Sequence, residues 1–122
     1  MDFITELRPN EVFVFGSNLE GSHAGGAAKT AYDKFGAEEG VYFGLTGQSF
    51  AIPTCIRPGV PFKSMYDIEP YVEEFLNFAE DHPNLTFLVS PLGTGVARFP
   101  LDYIDSLFED IPFNVICLWR EA

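Results

Sequence analysis

An α/β sandwich around a central mixed, largely parallel sheet is the fold class this chain predicts, and three observations predict it. Short β-rich apolar runs alternate with amphipathic stretches of about 10–15 residues, as in strand–helix–strand units. Two glycine-rich loops, Gly16-Ser17-Asn18-Leu19-Glu20-Gly21-Ser22-His23-Ala24-Gly25-Gly26 and Pro91-Leu92-Gly93-Thr94-Gly95-Val96-Ala97-Arg98, each follow a strand-like run and precede a helix-like stretch. The composition is 47% hydrophobic and 16% aromatic, with 13 Phe, enough for a packed interior. At 122 residues the expectation is one domain over 1–122, arranged as three layers with the sheet in the middle.

Taken in order, Glu11-Val12-Phe13-Val14-Phe15 reads as a buried central strand closed by Gly16. From Ala24 to Phe35, Ala27, Ala28, Ala31, Tyr32 and Phe35 recur at helical spacing, and Gly36 is the expected stop. The small residues on that face let the helix lie close over a sheet. Val41-Tyr42-Phe43 predicts a short strand, followed by a turn over Gly44-Leu45-Thr46-Gly47. Ser49-Phe50-Ala51-Ile52-Pro53 predicts another strand that Pro53 ends, and 57–62, with two prolines and a glycine, predicts a loop. Asp67 is the expected cap of a helix to about His82, with Ile68, Tyr71, Val72, Phe75 and Ala79 inward and Glu69, Glu73, Glu74, Glu80 and Asp81 outward. Thr86-Phe87-Leu88-Val89-Ser90 is a strand running into the second loop. Leu101, Ile104, Leu107, Phe108 and Ile111 mark the inner face of a third helix, and Asn114 to Trp119 a last strand.

The formal net charge of −11 repels DNA and RNA, whose affinity for proteins comes mainly from Lys and Arg on phosphates, so general nucleic-acid binding is not expected. Apolar runs such as Val115-Ile116-Cys117-Leu118-Trp119 fall far short of the roughly 20 residues a membrane span needs. Met1-Asp2-Phe3 opens an acidic segment without a basic leader region, and Cys55 and Cys117 lack metal-ligand or CxxC spacing. The expectation is a cytoplasmic protein with no membrane partner, no disulfide, no metal and no cofactor.

Where a strand gives way to glycine, several N–H groups can turn toward one point, and the positive end of the next helix adds to their field. Two such loops at the carboxyl ends of one sheet could hold a diphosphate in an acidic molecule, because exposed carboxylates are screened beyond about 8–10 Å. Neither loop fits the dinucleotide pattern GxGxxG or the Walker pattern GxxxxGK[ST].

A different family fits. Phe13-Val14-Phe15-Gly16-Ser17-Asn18, then Gly25-Gly26-Ala27-Ala28 opening a helix, resembles the macro-domain pattern of a strand ending in asparagine, a glycine cluster and a helix of small residues. Gly93-Thr94-Gly95-Val96 with Phe99-Pro100 is similar to that family's late loop, and Thr46-Gly47-Gln48 ahead of Phe50-Ala51-Ile52-Pro53 to its middle region. The combination also resembles a small macro-like group of bacteria and phages. The resemblance implies a ligand such as ADP-ribose or a related nucleotide diphosphate, free or on an ADP-ribosylated macromolecule, and an ADP-ribosyl hydrolase activity. By it, Asn18 contacts a ribose hydroxyl and Gly25, Gly26 and Ala27 line the first phosphate loop. Gly93, Thr94, Gly95 and Val96 wrap the diphosphate, and Phe99 packs on a sugar face. Ser17, His23 and Arg98 are secondary candidates.

The chain also departs from the family. The aspartate-bearing strand that reads adenine would precede Glu11 and has no match there, and hydrolytic members often carry an acid where this chain has Ala27 and Ala28. Ala97 and Arg98 replace a common aromatic and glycine. Several residues keep two readings: Asn18 as ligand contact or turn residue, the glycines as phosphate cradle or close packing, His23 as acid–base group or solvated side chain, Arg98 as phosphate partner or surface ion pair, and Cys55 as nucleophile or inert buried thiol. The rival to a nucleotide-binding domain is a non-catalytic protein-interaction module whose acidic helices meet a basic partner.

Overall fold

The structure, a computed structural model, describes residues 4–23 and 25–120. The reading of Met1-Asp2-Phe3 and the expected helix start at Ala24 lie outside the described residues. The strands are β1 (Glu11–Asn18), β2 (Gly44–Thr46), β3 (Ser49–Arg57), β4 (Val60–Pro61), β5 (Thr86–Val89) and β6 (Val115–Cys117); the helices are α1 (Gly26–Lys34), α2 (Glu69–Asp81) and α3 (Leu101–Ser106). They form one sheet in the order β2-β3-β1-β5-β6, with β4 paired to β3. β1 pairs in parallel with both β3 and β5, and β5 in parallel with β6, while β2 and β4 run antiparallel to β3. The sheet is therefore mixed and largely parallel.

Alternation along β1 divides the interior in two, because successive side chains of a strand point to opposite faces. Phe13 and Phe15 join Ala28, Ala31, Phe35 and Ala51 in a cluster under α1. Val12 and Val14 face the larger cluster, with Val72, Phe75 and Ala79 of α2, Ile104 of α3 and Phe108 just beyond it. The hub of that cluster is Phe50, whose ring centroid lies 5.0–6.4 Å from those of Phe43, Phe75, Phe78 and Phe87. Such tilted and edge-on pairs add to the burial of each ring. Asn114 closes the far end: its amide nitrogen donates to the carbonyls of Ala79, His82 and Leu85, tying the end of α2 to the start of β6.

Several expectations are corrected. β1 does not end at Gly16 but runs to Asn18, because Ser17 still pairs with Pro53 of β3 and, across a shift of register, Asn18 pairs with Cys55. β3 passes through Pro53 because, on the side away from β1, β2 pairs with it only as far as Ala51 and β4 only from Cys55, so the missing N–H faces a gap between those two strands. Val41-Tyr42-Phe43 forms no strand; Gly44–Thr46 takes that place, turning back onto β3 at Gly47 (φ +57°). The expected loop over 57–62 holds the short β4 hairpin. Ser64, not Asp67, caps the second helical segment, accepting from the Tyr66 N–H at the head of a 3₁₀ turn (Met65–Ile68) that leads into α2. Tyr32 is 49% exposed and Leu101 41% exposed, so neither belongs to an inner face. The last strand stops at Cys117.

Past β6 the chain is anchored by Asp105, whose carboxylate accepts from Trp119 Nε1 and Arg120 Nε, both at 2.7 Å. The bond from Trp119, then that from Arg120, holds the Asp105 carboxyl below the usual carboxylate range. A depressed folded-state pKa contributes stability that is present above the unfolded value, near 3.9, and lost as pH falls through the folded one. Acid titration of the single Trp119 should therefore show a fluorescence change setting in only below about pH 4, absent in Asp105→Asn. Phe50→Ala should cost about 3–5 kcal/mol in urea denaturation, the range for removing a large aromatic from a packed core.

Candidate functional site

The two glycine loops meet. A Cβ placed on Gly16 would lie 3.4 Å from the Thr54 side chain and 3.6 Å from the Gly93 amide nitrogen, so the end of β1 runs directly beside the second loop. Between them opens a crevice of about 440 Å³. Gly16, Ser17, Asn18 and Ser22 line it from the first loop, Gly25, Gly26, Ala27 and Ala28 from the start of α1, and Gly93, Gly95, Val96 and Ala97 from the second loop. Thr54, Cys55, Pro58 and Gly59 complete it from β3 and its hairpin, with Ser90, Pro91 and Leu92 at the end of β5.

This placement follows from the topology. β1, β3 and β5 are parallel neighbours, so their carboxyl ends share one edge of the sheet, where open α/β folds hold their crevices. α1 adds its N-terminus: Gly25 caps it with no side-chain hydrogen bond, and Lys29 N–H to Gly25 C=O is the first helical bond. The N–H groups of Gly26, Ala27 and Ala28 thus have no acceptor within the helix. Nothing would meet a Cβ on Gly25, Gly26 or Gly95 within 4 Å, so these glycines border open space.

The side chains expected at the ligand are differently employed. Asn18 is 7% exposed and braces its own loop: Oδ1 accepts from the N–H groups of Glu20 and Ser22, and Nδ2 donates to the Ser22 carbonyl. One amide N–H remains for any other partner. The Ser17 hydroxyl donates to the Tyr42 carbonyl at 2.6 Å. His23 is 2% exposed, with Nε2–H donating to the Glu38 carbonyl and its ring edge-on to Phe15; it is neither solvated nor at the crevice, and Nδ1 has no partner among the described residues. Thr94 Oγ1 donates to the Pro91 carbonyl.

Phe99 does not border the crevice either. It is buried in the larger core with its ring seated on Gly93, where an added Cβ would run into Phe99 Cδ2. The Phe99 N–H donates to the Gly93 carbonyl at 2.7 Å, and Arg98, at φ +58°, makes the turn between them, its side chain exposed and outside the lining. Gly93, Gly95 and Val96 do line the crevice, as do Gly25, Gly26 and Ala27. Sequence reasoning missed Thr54, Pro58, Gly59 and Ser90, although Pro58-Gly59 after a strand is a hairpin signal and points to the same edge.

Among the described residues the lining holds no Asp, Glu, His, Lys or Arg. Its polarity comes from main-chain amides, small hydroxyls and one thiol. Among the described residues the one hydrogen-bond partner of the Cys55 sulfur is the Thr54 hydroxyl, which donates to it at 3.8 Å and is no base. Burial pushes the Cys117 thiol up to about 11. Among the described residues no group of His, Cys, Asp or Glu could hold a metal ion, and no helix is long and apolar enough to cross a membrane. Comparisons with protein-family models, with curated proteins and with solved structures each gave no match.

Gly93 and Gly95 should separate in mutagenesis. Gly93→Ala adds a Cβ at φ +70° against the Phe99 ring and is expected to lose about 1–3 kcal/mol in urea denaturation, while Gly95→Ala stays within about 0.5 kcal/mol.

Proposed function

We propose that the chain is a macro-like domain that binds ADP-ribose or a related nucleotide diphosphate in the crevice between its two glycine loops. The observation that carries this reading is the convergence of both loops and the uncapped start of α1 on one cavity. Unpaired amides and a helix N-terminus attract a phosphate without a cationic side chain, which suits a protein of net charge −11. A volume of about 440 Å³ lies within the range of small-molecule sites. In this reading the amides of Gly26 and Ala27 face one phosphate and those of Gly95 and Val96 the other. Asn18 acts chiefly by holding the first loop in shape, with its remaining N–H directed to a ribose hydroxyl. Pro58 and Gly59 border the far side of the guest.

Binding, rather than turnover, is the activity that this lining supports. Hydrolysis of a glycosidic or ester bond draws on a positioned acid or base, and the crevice supplies neither from a side chain. A ligand carried on an ADP-ribosylated protein or nucleic acid would be held in the same way.

Calorimetric titration of ADP-ribose, ADP, AMP and NAD tests the proposal. ADP-ribose and ADP should give saturable heats, and Gly25→Glu or Gly95→Glu should abolish them with the melting temperature kept within a few degrees, because both positions border open space. Asn18→Ala should weaken binding roughly tenfold by loosening the loop. Equal heats in the wild type and both glutamate variants would remove the site from this crevice.

A further inference from the structure

The polar side chains that line the crevice are mostly turned back into the protein. The Ser17 hydroxyl donates to the Tyr42 carbonyl, and the Ser90 hydroxyl to the Val14 carbonyl at 2.8 Å. The single proton of the Thr54 hydroxyl is shared between the Ser17 carbonyl at 3.3 Å and the Cys55 sulfur at 3.8 Å. All three residues are buried, and none has a hydroxyl proton left for a guest. Asn18 carries both a donor and an acceptor, but its Oδ1 already accepts twice and one of its two amide protons goes to the Ser22 carbonyl at 3.0 Å.

Telling one base from another takes donors and acceptors set side by side, because the edges of the bases differ in that order. The committed hydroxyls and the occupied amide of Asn18 leave no such pair, and among the described residues the lining adds no carboxylate and no aromatic ring to stack on. Two side-chain groups remain: the second Asn18 N–H and the Ser22 hydroxyl, which bonds to none of the described residues. They sit together, since Asn18 reaches the Ser22 main chain, so side-chain recognition is confined to one point in the first loop, where it suits a sugar hydroxyl. The rest of what faces a guest is main-chain N–H at the start of α1 and in the second loop, which pairs with phosphate oxygens common to every nucleotide. We infer that the crevice reads the diphosphate and one sugar hydroxyl and leaves the base unread, so that its guests are nucleoside diphosphates and their sugar derivatives whatever the base. This inference rests on the reading of the crevice as a nucleotide diphosphate site.

The test is calorimetric titration of ADP, GDP, CDP and UDP, with AMP and inorganic pyrophosphate alongside, in the absence of divalent cations. A site that hydrogen-bonds one base rejects the others by orders of magnitude, whereas here the nucleoside diphosphates should bind within about threefold of one another. AMP should bind roughly tenfold more weakly than ADP, and pyrophosphate should bind measurably but less tightly than ADP. Ser22→Ala should weaken all the nucleoside diphosphates by one common factor of about three to ten, the worth of a single hydrogen bond, and leave pyrophosphate unchanged. Gly95→Glu should abolish every heat together, which places the shared binding in the crevice. A spread of more than about tenfold among the bases, with ADP still bound, would overturn the inference while leaving the crevice a nucleotide site. Pyrophosphate binding as tightly as ADP would also overturn it, by removing the sugar contact. Silence from every nucleotide and from pyrophosphate would overturn both this inference and the reading beneath it.

Discussion

The register of β1 between β3 and β5 is the constraint from which the rest of the molecule follows. Pairing in parallel on both sides commits its alternate residues to two different interiors, Phe13 and Phe15 to the α1 side and Val12 and Val14 to the other. A slip of one residue would exchange those sets, seating phenylalanines where valines meet α2. The same pairing brings the carboxyl ends of three strands together, so the crevice is a product of strand register before any loop residue acts. Extension of β1 to Asn18 carries this constraint into the first loop itself.

The two faces of the sheet solve different packing problems. Under α1 the helix contributes Ala28 and Ala31, which let it approach the large rings of β1 closely and bring its first turn to the strand ends. Under α2 the helix contributes Phe75 and the sheet contributes Phe50 and Phe87, a thick aromatic layer. Small residues are thus spent where the backbone must come near a cavity, and rings where only burial is needed. The outer surface of α2, free of any such demand, carries the exposed carboxylates of Glu73, Glu74, Glu80 and Asp81.

Much of this was legible in the sequence because it is local. The strand at Glu11, the alanine face of α1, the apolar spacing of α2 and the two glycine loops are patterns of period two or near 3.6, or backbone requirements of single residues. What was not legible depends on partners distant in the chain. Ser17 is held by Tyr42, His23 by Glu38, and Phe99 lies against Gly93 through a turn made by Arg98, whose positive φ no composition signals. Asn18 shows the limit well: its type and position marked a ligand contact or a turn, and only the bonds to Glu20 and Ser22 reveal how much of its amide the turn takes. The end of β3 was misread because proline usually stops a strand, and its tolerance here rests on the gap between β2 and β4.

The bonds of Asn18 have a further consequence. A loop already stitched to itself would give up little freedom to any guest of the proposed kind, because the entropy of ordering it is settled during folding. Entry into the crevice would then proceed at the pace of encounter, as into a rigid mould, and selectivity among guests would rest on shape and on the reach of fixed amides, with no closing motion to reward the right one.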